Sequence, residues 1–97
     1  MAIRDTLAPQ PTLDRAFFSA VTTTQTVTVP AGCTMIKVLS TNDNLLVKFG
    51  ATDPTTSNFD DIISAGSGEY LKFPADTREV RLLPATAIAT NIYVVEK

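Results

Sequence analysis

Apolar and polar residues alternate with a period of two in short runs along most of this chain. Clear examples are QTVTVP, TMIKVLS and REVRLLP, and no stretch has a helical period of useful length. Each run is bounded by residues that favour turns, such as Pro, Gly, Asn and Asp. About six to eight short strands of this kind predict an all-β domain: a small antiparallel β-sandwich, jelly-roll or Ig-like, or a flattened barrel.

The same alternation predicts which side chains point inward, because successive residues of a strand face opposite sides of its sheet. Between TMIKVLS and LLVKFG, the segment TNDN suits a tight connection between two antiparallel strands, since Asn and Asp tolerate left-handed backbone conformations. The predicted core consists of Val27, Val29, Ile36, Val38, Val47, Phe49, Leu71, Phe73, Val80, Leu82, Ile92 and Val94.

Residues 1–15 differ from the rest of the chain. Pro9 and Pro11 fix φ and push their predecessors towards extended conformations, so the segment predicts an extended N-terminal arm ahead of a β-sandwich domain over residues 16–97. A disordered tail is the alternative. Ile3, Leu7 and Leu13 favour the arm, because a purely solvated tail has little use for apolar side chains. We expect these three residues to anchor the arm on another protein chain.

Composition excludes several classes of partner. The chain has 97 residues and a formal net charge of −2, and its eight Lys and Arg are scattered rather than clustered, so nucleic acid is not an expected ligand. No apolar run approaches the roughly 20 residues of a membrane helix. The N-terminal sequence lacks the apolar centre of a signal peptide, which predicts synthesis in a cytoplasm. Cys33 has no partner for an internal disulfide and is expected to be a small buried apolar residue.

The residues that usually carry chemistry are scarce. The chain contains no histidine, which excludes His-based triads, Cys–His pairs and the usual zinc sites. It has no glycine-rich phosphate loop ahead of a helix, and TNDN turns apolar too soon to form a calcium loop. We therefore expect no enzyme activity, no cofactor, no metal and no small-molecule ligand. Tyr70 and Tyr93 are expected to pack with their hydroxyl groups at the rim.

Several apolar residues have the parity opposite to that of the core. If Val38 and Val47 face inward, then Leu46 lies on the outward side of its strand. A few apolar residues on other strands also lie on the outward side, and an apolar outward surface expects a partner. The favoured interpretation is a subunit interface in a homo-oligomer, with a trimer favoured; the alternative is that β-bulges shift the register and bring these residues into the core. The interface candidates within the domain are Met35, Leu39, Leu46 and Leu83, and Val95 and Tyr93 share their parity.

The order of features resembles that of small virion proteins of tailed bacteriophages, such as head decoration, cement or fibre-base proteins. The resemblance covers roughly residues 27–96 and lies in VTVPAG, TMIKVLS, LLVKFG, the loop ATDPTTSNFDD, SGEYLKFP and the closing IYVVE. It implies a small β-sandwich that assembles on the virion surface, often as a trimer, with the major capsid protein or other virion proteins as partners. A receptor- or glycan-binding module of a phage tail or fibre is the alternative.

Overall fold

The computed structural model describes residues 15–97, so the predicted anchors Ile3, Leu7 and Leu13 lie outside the described residues. Every predicted run forms a strand, and the short apolar segment around Ile62 adds one more. No α-helix occurs in the described part of the chain. The strands are β1 (Arg15–Val21), β2 (Gln25–Thr28), β3 (Met35–Ser40), β4 (Leu45–Phe49), β5 (Asp61–Ile63), β6 (Glu69–Lys72), β7 (Glu79–Pro84) and β8 (Thr90–Glu96).

The strands form two four-stranded sheets, with the orders β1-β8-β3-β6 and β2-β7-β4-β5. All neighbours are antiparallel. The pairs β1–β8, β2–β7, β3–β6 and β4–β5 are nested along the chain, which is the arrangement of a jelly roll with eight strands in two sheets. The strand order therefore decides between the jelly-roll and Ig-like alternatives, and because neither sheet closes on itself the domain is a sandwich rather than a barrel.

The core lies between the two sheets and is built from one parity of each strand. All of the predicted core residues are buried except Phe49, which is partly buried and packs against the core with its ring centroid 5.7 Å from that of Phe73. Cys33 is buried, as expected. The prediction missed Leu45 and Ile63, which are fully buried on β4 and β5.

The turn chemistry of TNDN predicted a tight connection between two neighbouring antiparallel strands. This prediction is wrong, because TNDN does not join neighbouring strands of one sheet. Because β3 and β4 belong to different sheets, residues 41–44 cross from one layer of the sandwich to the other. A crossing of this kind buries polar groups at the end of the core, and these groups need partners. Ser40 Oγ lies 2.6 Å from the carbonyl oxygen of Asp43 and 2.7 Å from Thr90 Oγ1, and all three residues are buried.

The side chain of Asp43 ties this corner to the connection between β7 and β8. Its carboxylate accepts hydrogen bonds from Thr86 N at 3.0 Å, Thr86 Oγ1 at 2.9 Å and Ile88 N at 3.2 Å. Burial by itself raises the pKa of Asp43, but the hydrogen bonds from Thr86, Ile88 and Asn44 outweigh it and lower the pKa below its usual value. The corner is therefore a fully hydrogen-bonded part of the fold, held by an ionised carboxylate.

Candidate functional site

The outward side of the β1-β8-β3-β6 sheet is the surface that differs most from an ordinary solvated strand face. On β3, for example, the buried residues Ile36 and Val38 alternate with Met35, Lys37 and Leu39, which are only partly buried. We call this surface the front face. Its members are Arg15, Phe17, Met35, Lys37, Leu39, Tyr70, Lys72, Tyr93 and Val95.

Strand register aligns these side chains in rows across the sheet. One row runs from Phe17 through Tyr93 to Leu39, since these residues are partners on β1, β8 and β3. The Phe17 and Tyr93 rings have centroids 4.8 Å apart and are tilted by 37°. Aromatic pairs in this geometry attract each other beyond simple burial, so the two rings form one continuous apolar platform.

A second row combines apolar and cationic side chains. It runs from Arg15 through Val95 and Lys37 to Tyr70. Lys37 Nζ lies 5.6 Å from the centroid of the Tyr70 ring, within the range of a cation–π contact. Residues paired across an antiparallel ladder point to the same side of the sheet. Glu69 is paired with Val38 and Glu96 with Ile36, and both partners face inward, so neither glutamate occupies a front-face position. Within the described residues, the front-face positions of the four strands therefore carry cations and no acid.

The aromatic residues of the front face are exposed to an unusual degree. Tyr70 is 56% exposed, Phe17 54% and Tyr93 43%. The expectation that both tyrosines pack with only their hydroxyl groups at the rim is therefore wrong for their rings, which stand on the outer surface. Contiguous exposed apolar side chains on a small domain are typical of an interaction surface or a ligand-binding groove.

A shallow groove of about 290 Å³ runs along the edge of the front face, between β1 and β8. The outward side chains that line it are Arg15, Phe17, Tyr93 and Val95. The groove is mostly apolar, with the guanidinium group of Arg15 as its charged member. Its position matters because Arg15 is the first described residue, so the groove lies where residues 1–14 join the domain.

The outward side of the other sheet, β2-β7-β4-β5, has a different character, and we call it the back face. Arg81 on β7 forms ion pairs with Glu79 at 2.7 Å and Asp53 at 2.8 Å, and it also donates to the carbonyl oxygen of Gly50 at 3.0 Å. The hydrogen bonds that Arg81 donates to Glu79 and Asp53 raise the pKa of its guanidinium group above the usual value. Lys48 lies 3.5 Å from Asp60. The charges of this face are thus paired within the domain.

The structure separates the four interface candidates of the domain. Met35 and Leu39 lie on the front face, whereas Leu46 and Leu83 are partners on the back face. Leu46 has the outward parity that the sequence predicted, yet it is only 5% exposed and lies outside the main core cluster. These residues therefore cannot form one continuous patch. Most of the large exposed apolar side chains on the strands lie on the front face, and on the back face Ile62, the partner of Leu46, is 43% exposed.

Sequence reasoning missed Phe17 and Tyr70 as site candidates. A signal was present for Phe17, because Phe17 and Phe18 are adjacent on one strand and must point to opposite sides of it. Phe18 packs against the core, which leaves Phe17 outside. The exposure of Tyr70 depends on what lies over β6, and no local pattern reports that.

Among residues 15–97, no three His, Cys, Asp or Glu side chains are grouped closely enough to hold a metal ion. The same part of the chain contains no helix long and apolar enough to cross a membrane. No protein-family model matches the chain, and neither a curated protein nor a solved structure matches it.

Proposed function

We propose that this protein is a non-enzymatic structural component of a bacteriophage virion, a decoration or cement protein that stabilises the capsid surface through protein–protein contacts. The observation that carries the proposal is the front face, with Phe17, Tyr70 and Tyr93 exposed in rows beside Arg15 and Lys37. In this proposal the front face is buried against other protein chains of the particle, either the major capsid protein, another virion protein or a copy of the same chain.

The composition of the front face supports a protein partner. Tyr, Phe, Met and Arg are enriched at protein–protein interfaces, and aromatic and Arg side chains dominate their binding energy. The front face holds Phe17, Tyr70, Tyr93, Met35 and Arg15 on a rigid sheet. Rigid aromatic side chains lose little conformational entropy on binding, which favours affinity.

The fold gives further support by analogy. Jelly rolls occur in viral capsid proteins and in lectins, so the strand order observed here is compatible with both the virion proposal and its alternative. A fold by itself does not assign a function, and the proposal therefore depends on the front face. The absence of histidine from the whole sequence supports a non-enzymatic role without a cofactor.

A glycan- or receptor-binding module of a phage tail or fibre is the second candidate. One observation favours it: the exposed rings of Tyr70 and Tyr93 present flat apolar surfaces of the kind on which sugars stack. In this case a defined glycan would bind the purified protein, and Tyr70→Ala would reduce that binding. Loss of glycan binding without any effect on particle association would favour this candidate over a cement role.

Quantitative mass spectrometry of purified particles from the natural source tests the virion proposal. We expect the protein to be present at a copy number that matches the symmetry axes of the capsid. We also expect Tyr93→Glu to lower the amount bound per particle at least tenfold, because a buried interface penalises an unpaired charge. The matched control is Thr26→Glu, at an exposed position of the back face. Absence of the protein from particles would rule out both virion roles.

A further inference from the structure

The front face is the large apolar surface that the described domain leaves open. On the back face, Arg81 and Lys48 are paired with acidic side chains and Leu46 is already buried. On the front face, Phe17 and Tyr70 are more than half exposed. A binding partner for the domain would therefore gain most by covering the front face.

Residues 1–14 have a pattern that fits such a surface. In an extended segment, side chains at every second position point to the same side. Ile3, Leu7 and Leu13 all have odd numbers, as do Pro9 and Pro11, so an extended segment places its large apolar residues on one side. Thr6, Gln10 and Thr12 fall on the other side. The prolines favour this extended form and reduce the entropy lost when the segment is ordered.

Charge and length agree with this fit. The front-face positions of the described strands include Lys37 and Lys72 and no acidic residue, and Asp5 has the same parity in the sequence as Ile3 and Leu7. Fourteen extended residues reach about 46 Å. Crossing a four-stranded sheet takes only about 14 Å. One segment is therefore long enough to leave its own domain and still cover the full width of a front face.

The direction of β1 favours a neighbouring copy as the receiver. Arg15 is paired with Val95, next to the last residue of β8, Glu96, so β8 offers little further pairing to the chain ahead of Arg15. An extended continuation points off the end of the sheet, and covering its own front face would require a reversal immediately before β1. Pro9 and Pro11 instead favour a straight approach from outside the domain.

We propose that the front face binds residues 1–14 of a second copy of this chain, so that neighbouring copies are joined by exchange of their N-terminal segments. Ile3 and Leu7 contact the apolar row of Phe17, Tyr93 and Leu39, and the groove between β1 and β8 receives part of the segment. Each copy donates one segment and receives one, which allows the assembly to close as a ring. This inference rests on the proposed role of the front face in binding protein chains.

Photo-crosslinking of the full-length protein tests the exchange. The photoreactive residue p-benzoylphenylalanine is introduced in place of Leu7, and ¹⁵N-labelled and unlabelled chains are mixed before irradiation. Mass spectrometry then distinguishes cross-links between chains from those within a chain. We expect cross-links between differently labelled chains, mapped to the strands that carry Phe17, Leu39 and Tyr93. The matched control places the probe at Thr6, which has the opposite parity to Leu7 and which the proposal therefore places on the far side of the segment. This probe should give at least fivefold fewer cross-links.

Receiver variants complete the test. Tyr93→Glu in the receiving chain should lower the yield of cross-links between chains at least tenfold, whereas Thr26→Glu on the back face should leave it unchanged. The melting temperature of each variant shows whether the domain is still folded. Cross-links only within a chain, cross-links to the back face, or no cross-links at all would each overturn the inference. If the cross-linking test fails but the protein is present in particles, the proposed function stands and the exchange of segments is wrong. If the test succeeds but the protein is absent from particles, the exchange stands and the proposed function is wrong.

Discussion

Asp43, which is buried, links the connection between β3 and β4 to the connection between β7 and β8 through partly buried hydrogen bonds. It does so as a carboxylate, which accepts hydrogen bonds more strongly than a neutral group. Removing a charged acceptor leaves the donors of these partly buried hydrogen bonds without that partner, and this usually costs more than the hydrogen bond itself contributes. A single side chain thus secures one end of the sandwich.

We expect Asp43→Asn to lower the free energy of unfolding at pH 7 by about 1–3 kcal/mol, since an amide accepts these hydrogen bonds less well. The pKa of Asp43 is lowered in the folded protein, so its ionised form contributes stability above the pKa of the unfolded chain, near 3.9, and that contribution is lost as the pH falls through the folded pKa. Urea denaturation at several pH values should show the difference between the two proteins shrinking below about pH 4. Asp76→Asn, at an exposed position, is the control. A difference that does not change with pH would contradict this account.

Leu46 gives a second prediction for a single residue. Its outward parity would make Leu46→Lys a change at an interface that leaves the fold intact, but the side chain is only 5% exposed within one chain. Placing an ammonium group there requires partial burial of a charge or displacement of the covering residues. We expect a loss of about 2–4 kcal/mol in the free energy of unfolding, measured by urea denaturation. Thr28→Lys, at an exposed position opposite Glu79 on the same sheet, should change it by less than about 0.5 kcal/mol. Equal effects of the two substitutions would show that the burial of Leu46 has no energetic consequence.

Among the strands, β3 and β4 illustrate how position within the sheet sets the cost of a mutation. Ile36 lies on β3, between β8 and β6, and is fully buried. Phe49 is the last residue of β4 and is only partly buried, with Phe73 as its aromatic neighbour. The loss of a partly covered side chain leaves a smaller cavity, because water already reaches part of the site.

We therefore expect Ile36→Ala to cost about 3–5 kcal/mol and Phe49→Ala only about 2–3 kcal/mol, although phenylalanine is the larger side chain. Urea denaturation of the two variants, analysed with a common slope, gives the comparison. The conservative change Ile36→Val, at about 1 kcal/mol, serves as the control for a small cavity. A larger loss for Phe49→Ala than for Ile36→Ala would mean that the end of β4 is more tightly packed than its exposure indicates.

At the scale of the whole molecule, the two outer faces of the domain differ in how their side chains are covered and paired. On the back face Arg81 and Lys48 form ion pairs within the domain, whereas the front face presents the exposed aromatic rings of Phe17, Tyr70 and Tyr93. A domain of this size buries a small core, so burial of the front face in an assembly would add appreciably to its stability. The homo-oligomer, with a trimer favoured, stays a prediction, and the proposal assigns its contacts to the front face and to residues 1–14.

Deletion of residues 2–13 tests the role of that segment. We expect the melting temperature of the domain to stay nearly unchanged, while the dissociation constant of the oligomer rises at least tenfold, as measured by light scattering over a range of concentrations. A deletion variant that assembles and binds particles as well as the full chain would show that the segment contributes nothing to association. A full-length protein that is monomeric at tens of micromolar would contradict the free oligomer and leave the particle as the sole partner.

Part of the candidate site could be predicted from the sequence. The outward parity of Met35 and Leu39 followed from alternation along β3, and ladder register confirms it. The neighbours that complete the front face, Phe17 and Tyr70, come from β1 and β6. Their proximity depends on strand pairings far apart in sequence, which alternation does not report.

The sequence by itself determined the all-β class, the positions of the strands and nearly all of the core, because period-two alternation and turn residues act locally. Only the tertiary structure decided the jelly-roll order, since the pairing of β1 with β8 joins opposite ends of the described chain. It also decided which outward residues are covered. Leu46 and Tyr93 both have the outward parity, yet one is buried and the other exposed, because burial on the outward side depends on which distant segments lie over the strand.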